Sequence, residues 1–270
     1  MINTLRTHLL EFAQQGIALA YSGGVDSTFL LKVLADLAQE HHFVLLPLIA
    51  HTPFQSDDEI ESACAQARQF GYQCQVFALD PLALPGLDNN PPDRCYWCKR
   101  AIFEQFRDYA QQHGAMTLMD GSNADDGQVY RPGRRAIQEL GVHSPLAALK
   151  ITKAQIRVGA AELGLDCAHK PSAPCLATRF DYRTHLTREL LQRVSDGEKI
   201  IRQFLPSDAD IRLRMTNNND TARIEIAPRY FAQLLVHREE ISAQLHRLGF
   251  KFITLDLDGY RSGCYDPKEN

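Results

Sequence analysis

An α/β protein, with a doubly wound parallel sheet followed by a smaller α+β domain, is the fold class this sequence predicts, on three observations. Strand-length apolar runs alternate with helically spaced ones through the first part of the chain. A glycine-rich turn stands between the first such run and the first long helix, where an open α/β sheet binds its ligand. From about Thr187 the order changes to helix, strand, polar turn, strand, helix, strand.

The elements follow in order. "GIALAYSGG" is a short apolar run bounded by glycines, as in a buried parallel strand. After it Phe29, Leu30, Val33, Leu34 and Leu37 recur at helical spacing, with Asp26 and Ser27 as N-cap and first-turn residues. "FVLLPLIA" reads as a second strand, and "SDDEIESACAQARQFG" as a helix capped by Ser56 and stopped by Gly71. "YQCQVFALD" is a third strand, "RAIF" with Phe106 a helix, and "MTLMDGSNADD" a fourth strand running into a loop. "KAQIRVGAAELG" is a helix, and Pro171 and Pro174 keep the segment after it extended. The second domain offers "RELLQRVSDGEKIIRQFL", "IRLRM", "ARIEIAP", "YFAQLLVHREEISAQLHRLG" and "KFITLDL" as helix, strand, strand, helix and strand. The expected domains are 1–186 and 187–270.

A chain of 270 residues, 44% hydrophobic, can bury a substantial core. Its net charge of −4 supplies no general basic footprint, so nucleic acid is not the expected partner. The first residues hold no signal-peptide core and no apolar run reaches the roughly 18 residues of a membrane span, which leads to the expectation of a cytoplasmic protein. Seven cysteines in a chain of this size suit thiols or metal ligands better than a disulfide framework.

The turn "SGGVDS", residues 22–27, carries the first chemistry. A strand, a glycine turn and a helix start direct unpaired backbone N–H groups and the positive helix end at one spot, an anion site. Ser22, Gly23, Gly24, Val25, Asp26 and Ser27 form it, with the two glycines expected to supply unusual backbone angles. There is no Walker lysine and no GxGxxG. Asn123, Asp125 and Asp126 fall at the end of another strand, as nucleotide or Mg²⁺ neighbours or as turn and capping residues. The cysteines carry the second. Cys95 and Cys98 stand three apart at a helix start, able to clasp a metal, form a redox pair or simply fill space. Cys175, flanked by Lys170 and Arg179, sits on the proline-bounded stretch, where cations favour thiolate. Cys64 and Cys74 suit the core; Cys167 and Cys264 are unassigned. Arg212 and Arg214 alternate on one strand, a paired-guanidinium face for phosphate or carboxylate. Glu198 on its own reads as a solvated helix carboxylate.

The loop resembles the PP-loop of the ATP pyrophosphatases, which cleave ATP between the α and β phosphates. In order along the chain, SGGVDS, "RCYWCK", "GSNADD", "YRPG", "KPSAPCLATR", "RLRM…ARIEI" and "TLDLDGYRSG" resemble the LarE-type ATP-dependent sulfur transferases over nearly the whole length. That resemblance implies an adenine-nucleotide α-hydrolase-like fold and adenylation of a carboxylate on a pyridinium biscarboxylate mononucleotide. Sulfur would then replace oxygen to give a thiocarboxylate on the way to the nickel-pincer nucleotide. It implies ATP and Mg²⁺, a small-molecule nucleotide substrate and a homo-oligomer. Ser22 to Ser27 and Asn123 would hold ATP, Asp26 and Glu198 a metal, and Arg179, Arg212 and Arg214 the acceptor. Cys175 would be catalytic, either sacrificing its own sulfur or joining Cys95 and Cys98 on a 4Fe–4S cluster. The chain departs from the family pattern in "FDYRTHLT", in "TNNND" after the paired arginines, and in "RSGCYD".

Three other functions fit parts of the pattern. A tRNA thiolation enzyme shares the loop and the three cysteines but would want an RNA-binding module. An ammonia-dependent ATP-pyrophosphatase ligase would leave the cysteines idle. A nucleotide sensor with a structural metal would not turn ATP over.

Overall fold

The computed structural model describes residues 1–128, 132–169, 173–216 and 218–261. The chain divides into two compact units, Met1–Asp80 with Asp93–Lys170, and Pro81–Pro92 with Pro171–Asn270. The second unit thus takes in a short early segment and begins its main run ahead of Thr187, where the sequence changes character. Among the described residues no helix is long and apolar enough to cross a membrane.

In the first unit, α1 (Ile2–Leu10) leads into β1 (Ile17–Ala20), α2 (Val25–His41), β2 (Leu45–His51), α3 (Asp57–Gln69) and β3 (Gln75–Ala78). α4 (Arg94–Gln112), β4 (Thr117–Asp120), α5 (Gly133–Glu139), α6 (Pro145–Ala148) and α7 (Lys153–Glu162) complete it. The four strands are parallel in the order β3-β2-β1-β4. The chain winds outward from β1 to β3 and then returns to the other side of β1, so the switch lies between β1 and β4. Alternation along β1 separates two layers. Ile17 and Leu19 pack with Leu5, Phe29, Leu34, Ile60 and Ile156, while Ala18 packs with Phe103, Phe106 and Ile137. This is the doubly wound α/β architecture expected from the sequence.

Some local expectations change. β3 stands at one edge of the sheet, where Val76 is 37% exposed and only Phe77 is partly covered. Cys74 lies just before β3, and with Cys64 it packs partly buried against the core. Burial, then the Cys64 thiol beside it, push the Cys74 thiol from its ordinary 9.0 up to about 12. The folded protein therefore keeps a proton that the unfolded chain releases. That contribution to stability is whole below pH 9 and fades as pH rises toward about 12. The thermal midpoint should fall across this window, and Cys74→Ala should flatten the fall; an identical slope in the variant would refute the assignment.

The second unit contains α8 (Arg188–Arg202), β5 (Ile211–Thr216), β6 (Thr221–Ile226), α9 (Phe231–Val236), α10 (Arg238–Arg247) and β7 (Phe252–Leu255). β5 and β6 form an antiparallel hairpin whose turn uses Asn218 and Asn219 at positive φ, and β7 joins β6 in parallel. The single helix expected over residues 230–249 is two. His237 leaves helical geometry, and Glu239 and Glu240 favour a fresh N-terminus there. Ile211, Leu213 and Met215 of β5 face inward with Ile224 and Ile226 of β6. Gly197 lets α8 close on β5, since a Cβ there would meet Leu213 Cδ1 at 2.5 Å.

Candidate active site

Ser22, Gly23 and Gly24 leave β1 at the sheet's switch point, beside the loop that leaves β4. Gly23 adopts φ +68° and presses on α3, where a Cβ would come 2.6 Å from Ala63 Cβ. Gly24 has φ −75°, so only one glycine of the pair uses the left-handed region. Gly24, not Asp26, is the N-cap of α2. The reason lies in Ser27, whose Oγ accepts from Ser22 N (3.3 Å) and donates to Gly24 O (3.2 Å), so the loop closes on itself before Asp26 is reached. Tyr21 braces it from below, donating to Gln66 Oε1 of α3 at 3.1 Å. From the β4 side, Gly121 lies so close that a Cβ would sit 2.9 Å from Ser27 N.

Asp26 is in the first turn of α2. Its Oδ2 accepts from Lys153 Nζ at 2.5 Å, while Oδ1 is buried with no hydrogen-bond partner among the described residues. Lys153 escaped the sequence reading. It is the first residue of α7, which Thr152 and Gln155 begin with a capping box. Asp125 Oδ2 accepts the Lys153 backbone N–H at 2.8 Å. The signal was "ITKAQ", a cap motif that puts a lysine at a helix mouth, but its partner is 127 residues away. Asn123 is buried; its Oδ1 accepts from Asp125 N (2.9 Å), and Asp126 Oδ2 accepts from Asn123 N (3.0 Å). Turn and capping geometry thus occupies part of each of these side chains. Asp120, also unforeseen, accepts from Ser122 Oγ and Ser144 Oγ and ties the β4 exit together.

Cys95 and Cys98 lie in the first turns of α4, one turn apart and both half-buried. Arg94 Nη2 approaches Cys95 Sγ at 3.6 Å. Between the two thiols Trp97 is 45% exposed, its Nε1 donating to Asp93 Oδ2 at 2.9 Å. Among the described residues no cysteine is in a disulfide, and no group of three or more His, Cys, Asp or Glu side chains is arranged for a metal.

In the second unit, half-buried Cys175 stands in extended conformation at the start of a 3-10 turn, Leu176–Arg179. Arg179, Arg212 and Arg214 are 3%, 4% and 5% exposed. Arg179 grips Glu198 with two donors (2.7 and 3.1 Å) and donates to Pro174 O at 3.1 Å, next to Cys175. Glu198 also accepts from Leu213 N at 2.9 Å, an approach that Gly197 permits. The expected metal or substrate neighbour is thus engaged with an arginine and a backbone N–H. Arg214 donates to Glu225 at 2.8 Å and to Thr178 O at 2.6 Å. Arg212 donates to Ile211 O at 2.7 Å and lies over the Tyr260 ring. Burial, then the Arg179 charge, hold the Arg212 guanidinium below its usual value. A bound anion would relieve that strain between like charges. Lys170, Cys264 and Tyr130 and Arg131 of "YRPG" lie outside the described residues.

No family model matches the chain. It is 34% identical over 250 residues to the pyridinium-3,5-bisthiocarboxylic acid mononucleotide synthase of Lactiplantibacillus plantarum, covering 92% of this chain and 88% of that one. An uncharacterized Synechocystis protein is 36% identical over 247 residues, covering 91% and 90%. One from Methanocaldococcus jannaschii is 30% identical over 259 residues, covering 96% of each.

Proposed function

The chain belongs to the LarE-type family of sulfur-inserting enzymes, that of the Lactiplantibacillus plantarum synthase, and on that premise we propose an ATP-dependent sulfur transferase acting on a pyridinium-3,5-dicarboxylic acid mononucleotide. ATP is cleaved to AMP and pyrophosphate, AMP passes to a substrate carboxylate, and sulfur displaces it to leave a thiocarboxylate. The observation that carries this reading is the loop at the switch point. It joins left-handed Gly23, the open start of α2 and a buried Asp26 oxygen with no hydrogen-bond partner among the described residues.

Each residue then has a task. The N–H groups of 23–27 receive the departing pyrophosphate. Lys153 adds a positive charge at the same mouth, in place of the Walker lysine the loop lacks. Asp26 Oδ1 suits a hard cation, and Mg²⁺ bound there would neutralise the leaving group. Asn123, fixed by Asp125, borders the nucleotide. Arg212 and Arg214 take the anionic end of the acceptor, while Glu198 holds Arg179 in place. Cys95, Cys98 and Cys175 handle sulfur. The paired thiols of α4 suit iron–sulfur ligation, and a 4Fe–4S cluster on the three cysteines would supply the sulfide. Arg212 and Arg214 neutralise the acceptor's anionic group while the cysteines stay available to the activated carbonyl.

Incubation with ATP, Mg²⁺ and the pyridinium dicarboxylate mononucleotide should yield AMP, pyrophosphate and a product in which sulfur has replaced a carboxylate oxygen by mass. ADP as the product, or sulfur found on tRNA instead, would overturn the reading.

A further inference from the structure

The segment "LDLDGYR" is the part of the chain that the reaction above leaves without a task, and its geometry gives it one. After β7 the chain turns at Asp256, whose carbonyl accepts from Gly259 N at 3.0 Å and whose Oδ1 accepts from Asp258 N at 3.0 Å. Gly259 has φ +74°, and a Cβ on it would stand 2.7 Å from Ile226 O and 3.0 Å from Pro228 Cδ. Only glycine lets the turn close on the end of β6. Closure puts Tyr260 N on Ile226 O at 3.2 Å. Ile226 pairs with Ile211 in the sheet, so Tyr260 arrives one residue from Arg212. Its ring lies 4.8 Å from the centre of the Arg212 guanidinium. Asp256 is itself held by Arg223 (3.6 Å), which also donates to Glu225, the partner of Arg214. The turn is therefore anchored on the same strand pair that carries the arginines.

We propose that residues 256–260 form a strap whose function is to position Arg212, with Tyr260 laying its ring on the guanidinium so that the donors stay in one plane toward the acceptor's anionic group. A planar guanidinium recognises phosphate or carboxylate through its fixed fork, and an aromatic face restrains that plane without consuming a donor. Tyr260 is a positioning residue and does not touch the acceptor. The proposal rests on the reading of Arg212 as an acceptor ligand.

The test is calorimetric titration with the pyridinium-3,5-dicarboxylic acid mononucleotide, alongside ATP. Tyr260→Leu and Tyr260→Met, which keep apolar bulk without a ring face, should bind the acceptor about tenfold more weakly, with ATP affinity unchanged. Tyr260→Phe should restore the binding. In an Arg212→Gln background the Tyr260→Met change should add no further loss, because nothing remains to be positioned. An equal added loss in that background would make Tyr260 merely structural and overturn the strap. So would full-affinity binding by both Leu and Met variants while Arg212→Gln fails. Normal acceptor binding by Arg212→Gln itself would instead remove the reading beneath the proposal, and the strap with it.

Discussion

Asp26→Asn should abolish pyrophosphate release, lowering its rate by about 10²-fold or more, while leaving the fold intact. The carboxylate does two jobs at once. Oδ2 takes the Lys153 ammonium at 2.5 Å, and Oδ1 is buried with no hydrogen-bond partner among the described residues. An amide keeps the shape but loses the charge that a cation on Oδ1 requires. It also either turns an N–H₂ group toward the Lys153 ammonium or aims it at the cation. The thermal midpoint should move little, because the ion pair with Lys153 is partly solvent-exposed and a water-screened pair contributes only about 1 kcal/mol or less. Pyrophosphate release by a coupled assay reports the first effect and a melting curve the second. Wild-type turnover by the variant would exclude Asp26 from the chemistry.

Replacing any one of Cys95, Cys98 and Cys175 by serine should eliminate thiocarboxylate formation, yet AMP and pyrophosphate should still appear. The proposed reaction assigns adenylation to the loop in the first unit and sulfur transfer to the thiols. If the three act together, anaerobically purified protein should carry about four irons per chain, and each serine variant should lose them. The iron count and the thiocarboxylate yield should then fall together. An iron-free enzyme that turns over once and loses the Cys175 sulfur would show a sacrificial route. Cys95 and Cys98 would then have no part in sulfur transfer.

What could be read from the sequence depended on how local its cause was. β1, β2 and β4 were legible because a buried parallel strand is apolar on both faces, and glycines bound β1. The loop was legible because its hydrogen bonds run between Ser22, Gly24 and Ser27, within six residues. β3 was legible as a strand but not as an exposed one. Its valine and phenylalanine are what a central strand would show, and only the winding order puts it at the edge. Lys153 was invisible because its meaning comes from Asp26, on another helix far back in the chain. Arg212 and Arg214 were legible as a shared face from strand alternation alone. That Arg179 would take Glu198 was not, since the pairing depends on the close approach of α8 to β5 at Gly197. The break at His237 escaped because periodicity alone does not distinguish one long helix from two short ones sharing a buried side.

Gly23 does not hold its shape unaided. It leans on Ala63 with no room for another carbon, and Gly121 leans likewise on the backbone of Ser27. The six-letter signature is therefore not a portable part. Grafted onto another strand–helix unit, SGGVDS would lack the alanine beneath it and the glycine beside it, and a larger residue at either place would push the loop open. Engineers transplanting this loop would have to move three segments together: the turn itself, the alanine-bearing face of α3, and the first residue past the neighbouring strand. For the same reason Ala63→Val, a change remote from any phosphate in sequence, should act as a loop mutation.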